Sequence, residues 1–383
     1  MLKREAKALA SIIEQFHNYD VDEMAVSFSG GKDSLVVLDL AVRAGVKKAV
    51  FCDTTADFEE TIQYVKKIKE FYGIDLVTVQ SKLDFFDSIE NIGLPSRRAR
   101  WCCEVFKFAP INDYGKKLGI KLFITGLRKS ESQRRQLYSE TDNNPLLPFV
   151  QFNPILEWED YEIWEYIHTY NLPYNPLYDV GFDRIGCWCC PYKTTKEWGL
   201  IQKLFPEKMS VFEKILEKCA KKLKIKDKER FITKQGWTSW ISPNRKITVG
   251  KIESCQNNKL SDFDVTLIEF EAQNNEKIIR LLPALTDLFW KTDNGQIKVI
   301  LDRGKRKKLK ILIEKAINCV SCGVCTSLCP NGSLKVDNQS VYVDESSCTS
   351  CGLCLNASAS RLRGACIVRN YSSKAATILD LRD

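Results

Sequence analysis

The chain has 383 residues and a mass of 43.9 kDa, a length that suits two or three domains. Its composition, 44% hydrophobic and 28% charged, excludes a disordered chain and one embedded in a membrane. A formal net charge of +8 favours an anionic partner, while 16 cysteines against 2 histidines exclude a histidine-rich metal site and make sulfur the default ligand. Residues 1–16 read as an amphipathic helix with Leu2, Leu9, Ile12, Ile13 and Phe16 on one side. That segment has neither the apolar stretch nor the small-residue cleavage site of a secretory leader. No run approaches the ~18 apolar residues of a membrane span. The expectation is a cytoplasmic chain with no membrane attachment, its cysteines being thiols or metal ligands.

Beyond the first helix, short β-branched runs alternate with helical patterns, which predicts a parallel sheet covered by helices. Strands are expected at 24–29, 49–53, 75–80 and 121–126, with a weaker one at 151–155. Helices are expected at 34–44, 58–72, 103–118 and 160–170. Residues 1–203 are therefore read as one doubly wound α/β domain. Residues 204–310 follow as a lysine-dense helical stretch and a small α/β domain, with strands at 265–271 and 297–301 around a helix at 276–289. Ile278, Leu281, Leu282, Leu285 and Leu288 supply the apolar face of that helix. The final domain, 311–383, is short and cysteine-rich, and its paired cysteine motif is an internal duplication.

Residues 27–34 read Ser-Phe-Ser-Gly-Gly-Lys-Asp-Ser between an apolar strand and an apolar helix. Two glycines let the backbone turn sharply, so that successive N–H groups converge on an anion at the positive end of the helix. Ser29 and Ser34 add hydroxyls and Lys32 a charge. The Walker spacing is absent. The run resembles the SGGxDS pyrophosphate (PP) loop of the N-type ATP pyrophosphatases, which cleave ATP between the α and β phosphates.

Three further runs narrow the resemblance: residues 53–61 after the second strand, 101–110, and 126–134 after the fourth strand. Together with the loop they resemble the phosphoadenosine-phosphosulfate (PAPS) reductase family, which also includes the DndC-like proteins of DNA phosphorothioation. The resemblance covers residues 24–192. It implies that Ser29, Gly30, Gly31, Asp33 and Ser34 hold phosphates, that Asp53 lies near the nucleotide, and that Arg128 contacts an anionic group. Glu131 and Arg134, on the same run as Arg128, are further candidates for the nucleotide site. Lys32, Asp33, Arg128 and the spare thiol Cys189 are the candidate catalytic groups. The nucleotide is ATP with Mg2+ or, alternatively, adenosine phosphosulfate (APS) or PAPS.

Cys102-Cys103 and Cys187-x-x-Cys190 form a split set of four thiols, and Cys189 is extra in that pattern. The same arrangement holds a [4Fe–4S] cluster in APS reductases, and four thiolates also suit zinc. Cys189 is either a free thiol or the true ligand in a register shifted by one. Cys319, Cys322, Cys325 and Cys329, followed by Pro330, match the C-x2-C-x2-C-x3-C-P run of bacterial ferredoxins. A second run carries Cys348, Cys351 and Cys354, with Ser358 where a fourth cysteine would fall. In the swapped ferredoxin arrangement Cys329 joins the second run. The first run then needs Cys366 as its fourth ligand, or holds a three-cysteine cluster with an open iron. Three [4Fe–4S] clusters per chain are expected.

Three functions compete. The first is ATP-dependent sulfur insertion into nucleic acid, as in DNA phosphorothioation or RNA thiolation, with a cysteine desulfurase or other sulfur donor and a low-potential electron donor as partners. Residues 303–310 carry six basic residues and no acid, which suits a phosphate backbone. The second is a ferredoxin-fused sulfonucleotide reductase releasing sulfite. The family's C-terminal Glu-Cys-Gly-Leu-His segment is missing from the tail after Cys366, which counts against it. The third is an electron-transfer or regulatory iron–sulfur protein, against which the intact loop argues.

Overall fold

The computed structural model of the chain describes residues 2–97, 99–133, 135–143, 147–239, 252–260, 263–270, 275–286, 288–293, 296–337 and 340–355. Two compact units emerge, one of Met1–Phe86 with Phe106–Lys218, the other of Asp87–Val105 with Cys219–Asp383.

The first unit opens with α1 (Leu2–Glu14) and continues through β1 (Met24–Phe28), α2 (Lys32–Ala44), β2 (Lys48–Asp53), α3 (Glu59–Tyr72) and β3 (Asp75–Gln80). Later come β4 (Leu122–Thr125), the two-residue β5 (Thr141–Asp142), β6 (Val150–Phe152) and the helix Asp160–Thr169. The strands form one sheet in the order β3-β2-β1-β4-β6-β5, parallel except for β5 at the edge. Side chains alternate across β1 and β4. Met24, Val26, Phe28, Leu122 and Ile124 enter the core that also holds Ile12, Leu35, Ile163 and Tyr166, whereas Ala25 and Phe123 enter a second core with Val50 and Phe149. Apolar burial on both faces explains why these strands read as continuous hydrophobic runs. The strand order reverses between β1 and β4, and ligands of such sheets bind beyond the carboxyl ends of the strands at that switch.

A polar network inside this core pins the 160–169 helix onto α2. The Tyr166 hydroxyl donates to Asp39 Oδ2 at 2.6 Å and accepts from Arg43 Nη1 at 2.8 Å, while the Tyr72 hydroxyl donates to Asp39 Oδ1 at 2.9 Å. Tyr166 is fully buried and Asp39 nearly so. Tyr166→Phe leaves both partners under-satisfied and is expected to cost about 1–3 kcal/mol. Urea denaturation should show the midpoint falling with the slope unchanged.

The helix expected at 103–118 is broken into three pieces: Trp101–Cys103, a π-helical turn Glu104–Phe108, and Ala109–Lys117. The cause is Pro110, which has no N–H to give to the carbonyl four residues back, that of Phe106. That carbonyl accepts instead from the Cys52 thiol at 2.9 Å.

In the second unit the strands expected at 265–271 and 297–301 are present as Phe263–Phe270 and Gln296–Asp302, and the helix expected between them is corrected. The strands Ile252–Leu260, Phe263–Phe270, Leu288–Asp293 and Gln296–Asp302 form a four-stranded sheet that is antiparallel throughout. The helix predicted over 276–289 spans only Asn275–Ile279, because Pro283 sits in a short 3-10 turn and Phe289 and Trp290 belong to a strand. Ile278, Leu281, Leu282 and Leu285 do share one core with Ile297, Val299 and Leu301. The helix Arg306–Asn318 packs Leu309, Leu312, Ile313 and Ala316 into the same core. A two-stranded ribbon, Leu334–Val336 with Val341–Val343, completes the described part of this unit. Among the described residues no helix is long and apolar enough to cross a membrane.

Candidate active site

The phosphate loop leaves β1 at Phe28 and enters α2 at Lys32. Gly30 has φ 76°, and a Cβ there would stand 2.8 Å from Thr61 Cγ2, so both backbone sterics and its neighbour require glycine. Ser34 closes the loop. Its hydroxyl donates to the Gly31 carbonyl at 2.8 Å, accepts from the Ser29 N–H at 3.2 Å and lies 3.1 Å from the Ser29 hydroxyl. A residue that sequence reasoning missed holds the loop from below. The buried Asn175 donates from Nδ2 to the Gly30 carbonyl at 3.3 Å and to Thr61 Oγ1 at 3.1 Å.

Lys32, Asp33 and Arg128 are brought together at the β1/β4 switch, joined by Asp160. Arg128 is buried and committed to protein partners: Nε donates to Asp33 Oδ1 at 2.5 Å, Nη2 to Asp160 Oδ1 at 2.9 Å and Nη1 to Ser130 Oγ at 2.9 Å. The anions that Arg128 meets are thus the chain's own carboxylates, which makes it a positioning residue of the loop. Lys32 Nζ lies 3.0 Å from the same Asp160 oxygen, and the Lys32 N–H donates to the Tyr178 hydroxyl at 2.9 Å. Burial raises the Tyr178 hydroxyl above its ordinary range, so it is a neutral acceptor here. A cleft of about 540 Å³ opens beside these groups, lined by Lys32, Asp160, Trp164, His168, Tyr174 and Tyr178 among others. Its size suits a nucleotide or a comparable substrate.

Other predicted residues serve the rim rather than face the loop. Asp53 accepts from the Thr55 N–H at 2.8 Å and from Gln80 Nε2 at 2.5 Å, which fixes the turn after β2. Glu131 accepts from the Arg128 N–H at 3.3 Å and pairs with Arg135. Arg134 lies outside the described residues.

The Cys187–Cys190 turn docks on the segment after β2. The Trp188 N–H donates to the Ala56 carbonyl at 2.9 Å, and the Cys187 thiol lies 3.2 Å from Thr54 Oγ1. Burial pushes the Cys187 thiol up to about 12, opposed by the charge of Lys107. Lys107 also acts on Cys52 and Asp57, and is a second residue that sequence reasoning missed. The one signal available was a lysine inside an otherwise apolar run five positions after Cys102. Cys189, a candidate catalytic thiol, is buried, and that burial raises its thiol well above the usual range. Cys102 and Cys103 belong to the other unit, where Arg100 Nη2 donates to the Cys103 sulfur at 3.4 Å.

The two cysteine runs of the second unit have one backbone. Ser321 and Gly323 in the first run have φ 55° and 75°, and Ser350 and Gly352 in the second have φ 50° and 69°. The Ser321 N–H donates to Cys319 Sγ and the Ser350 N–H to Cys348 Sγ, both at 3.4 Å. Cys329, Cys348, Cys351 and Cys354 line one cavity, together with Cys325. Burial pushes Cys325 up to about 12 and Cys354 up to about 11. Cys366 lies outside the described residues. Among the described residues no group of three or more histidine, cysteine, aspartate or glutamate side chains is arranged to hold a single metal ion.

Residues 23–193 match the phosphoadenosine phosphosulfate reductase domain model. The chain is 30% identical over 191 residues to the adenosine 5'-phosphosulfate reductase of Bacillus mycoides, covering 49% of this chain and 80% of that one. It is 35% identical over 224 residues to an uncharacterized protein of Methanocaldococcus jannaschii, covering 56% of this chain and 53% of that one, so the chain spans about half the length of that relative. Among solved structures, the phosphoadenylyl-sulfate reductase of Candida auris aligns at 22% identity with a TM-score of 0.36, covering 47% of this chain and 94% of that one. With its phosphate loop, its switch-point arginine and its cysteine turn all inside the matched segment, the chain belongs to the phosphoadenosine phosphosulfate reductase domain family.

Proposed function

We propose that the protein is an ATP-dependent sulfurtransferase whose acceptor is a nucleic acid. The observation that carries this reading is the shared rim of β1 and β2. These strands are parallel neighbours, so the loop closed by Ser34 and the Thr54–Cys187 contact both lie beyond their carboxyl ends. Phosphate handling and sulfur handling therefore meet on one edge of one sheet.

In this reading ATP with Mg2+ lays its phosphates on the N–H groups at the start of α2. An oxygen of the acceptor attacks the α phosphorus, the bond to the bridging oxygen breaks, and pyrophosphate leaves with its charge met by the loop and Lys32. A persulfide supplied by a cysteine desulfurase or similar donor then displaces the adenylated oxygen as AMP. The remaining S–S bond is cleaved by two electrons from a low-potential donor. An incoming phosphate oxygen takes the place of Asp160 on Lys32, since Asp160 is the exposed member of that pair.

Iron–sulfur clusters fit the donor sets. The cavity lined by Cys325, Cys329, Cys348, Cys351 and Cys354 gathers thiols of both runs, and thiolates are the ligands such clusters take. In the swapped ferredoxin arrangement Cys329, Cys348, Cys351 and Cys354 would hold one cluster. Cys319, Cys322 and Cys325, with Cys366, would hold a second. Such clusters supply one-electron transfer. The decisive assay incubates the anaerobic protein with ATP, Mg2+, a persulfide donor and an oligonucleotide. Pyrophosphate and AMP should form in step with sulfur in the oligonucleotide. Release of sulfite from APS or PAPS, with no pyrophosphate from ATP, would establish the second reading, a sulfonucleotide reductase, which the similarity to the Bacillus mycoides enzyme favours.

A further inference from the structure

The helix Arg306–Asn318 turns an apolar face to its unit's core, with Leu309, Leu312, Ile313 and Ala316 buried. Lys315 falls among them and is itself only 4% exposed. A leucine would suit that position by packing alone, and burying an ammonium is costly unless negative charge is near. The surroundings supply sulfur. Lys315 lines the same cavity as Cys325, Cys329, Cys348, Cys351 and Cys354. It thus shares one cavity with thiols of both runs, Cys325 and Cys329 of the first and Cys348, Cys351 and Cys354 of the second.

We propose that Lys315 is a positioning residue for electron transfer, a fixed positive charge set against both cysteine runs that raises the reduction potential of the clusters they hold. The proposal rests on the iron–sulfur reading given above. One-electron reduction makes a cluster with its four thiolates one unit more negative, so a cation buried beside it stabilises the reduced state more than the oxidised one. No bond or proton moves. The electron comes from an external one-electron reductant.

The test is a potentiometric titration of the full chain, purified anaerobically, with dithionite as reductant and electron paramagnetic resonance of the reduced clusters as readout. Iron and sulfide are counted on the same samples. In Lys315→Gln the equilibrium constant for reduction should fall at least tenfold, which is about 59 mV for one electron. Lys315→Arg, which keeps the charge, should restore the parent value. A glutamine variant with full iron and the parent potential overturns the proposal. If the glutamine variant loses iron, the arginine variant decides: full iron at the parent potential supports the charge, and loss of iron there too assigns Lys315 a packing role. A parent chain without iron removes instead the cluster reading beneath the proposal.

Discussion

Gly126→Ala is expected to lower nucleotide affinity by up to about 100-fold, the equivalent of an overpacking strain of about 1–3 kcal/mol falling on the loop. Gly126 follows β4, and a Cβ there would stand 2.7 Å from the carbonyl carbon of Asp33 and 2.8 Å from both the Asp33 oxygen and the Ser34 nitrogen. Those are backbone atoms in the first turn of α2, and no rotamer change relieves them. Either β4 or the phosphate loop must shift, at an overpacking cost of about 1–3 kcal/mol. Isothermal titration with ATP and a melting curve read both effects. Gly199→Ala is the control, since nothing lies within 4 Å of a Cβ at that position. A Gly126 variant that melts lower but binds ATP as the parent does would remove the loop from the nucleotide site.

Cys329→Ser is expected to remove one whole cluster, roughly four iron atoms per chain, from the ferredoxin-like runs. Its partners decide which cluster. Cys329 stands last in the first run but lines one cavity with Cys348, Cys351 and Cys354 of the second, as well as with Cys325 of its own, and the swapped arrangement pairs it with the second run. Cys319→Ser should therefore remove a different cluster, and the double variant roughly eight iron atoms. Had each run closed on itself, the double variant would lose no more than either single one. Iron and acid-labile sulfide analysis of the three variants separates these outcomes.

The parts of the fold legible in the sequence were those specified locally. The strand Asp75–Gln80 has the bounds its β-branched run predicts, and the run from β1 through two glycines into α2 announces its own turn. Leu288–Asp293 was illegible because its leucine extends the helical spacing of Ile278, Leu281, Leu282 and Leu285. Period alone could not end that helix, and Pro283 was the signal that outweighed it. The site divides in the same way. Ser29 and Ser34 declare themselves by spacing, whereas Asn175 reaches Gly30 across 145 positions of chain. Only folding brings such a pair together. Arg128 and Asp33 were found by resemblance, but their pairing with each other and with Asp160 was not, since a salt bridge leaves no periodic trace in a sequence.

The contact between the Lys32 amide and the Tyr178 hydroxyl gives binding at this loop the character of an exchange. A donor at the helix start already has an acceptor, and Lys32 already has a carboxylate. A nucleotide therefore competes with the protein for each of these groups and returns them on leaving. In the proposed reading its net gain is the difference between two sets of similar bonds, and each group it leaves is again partnered by the protein.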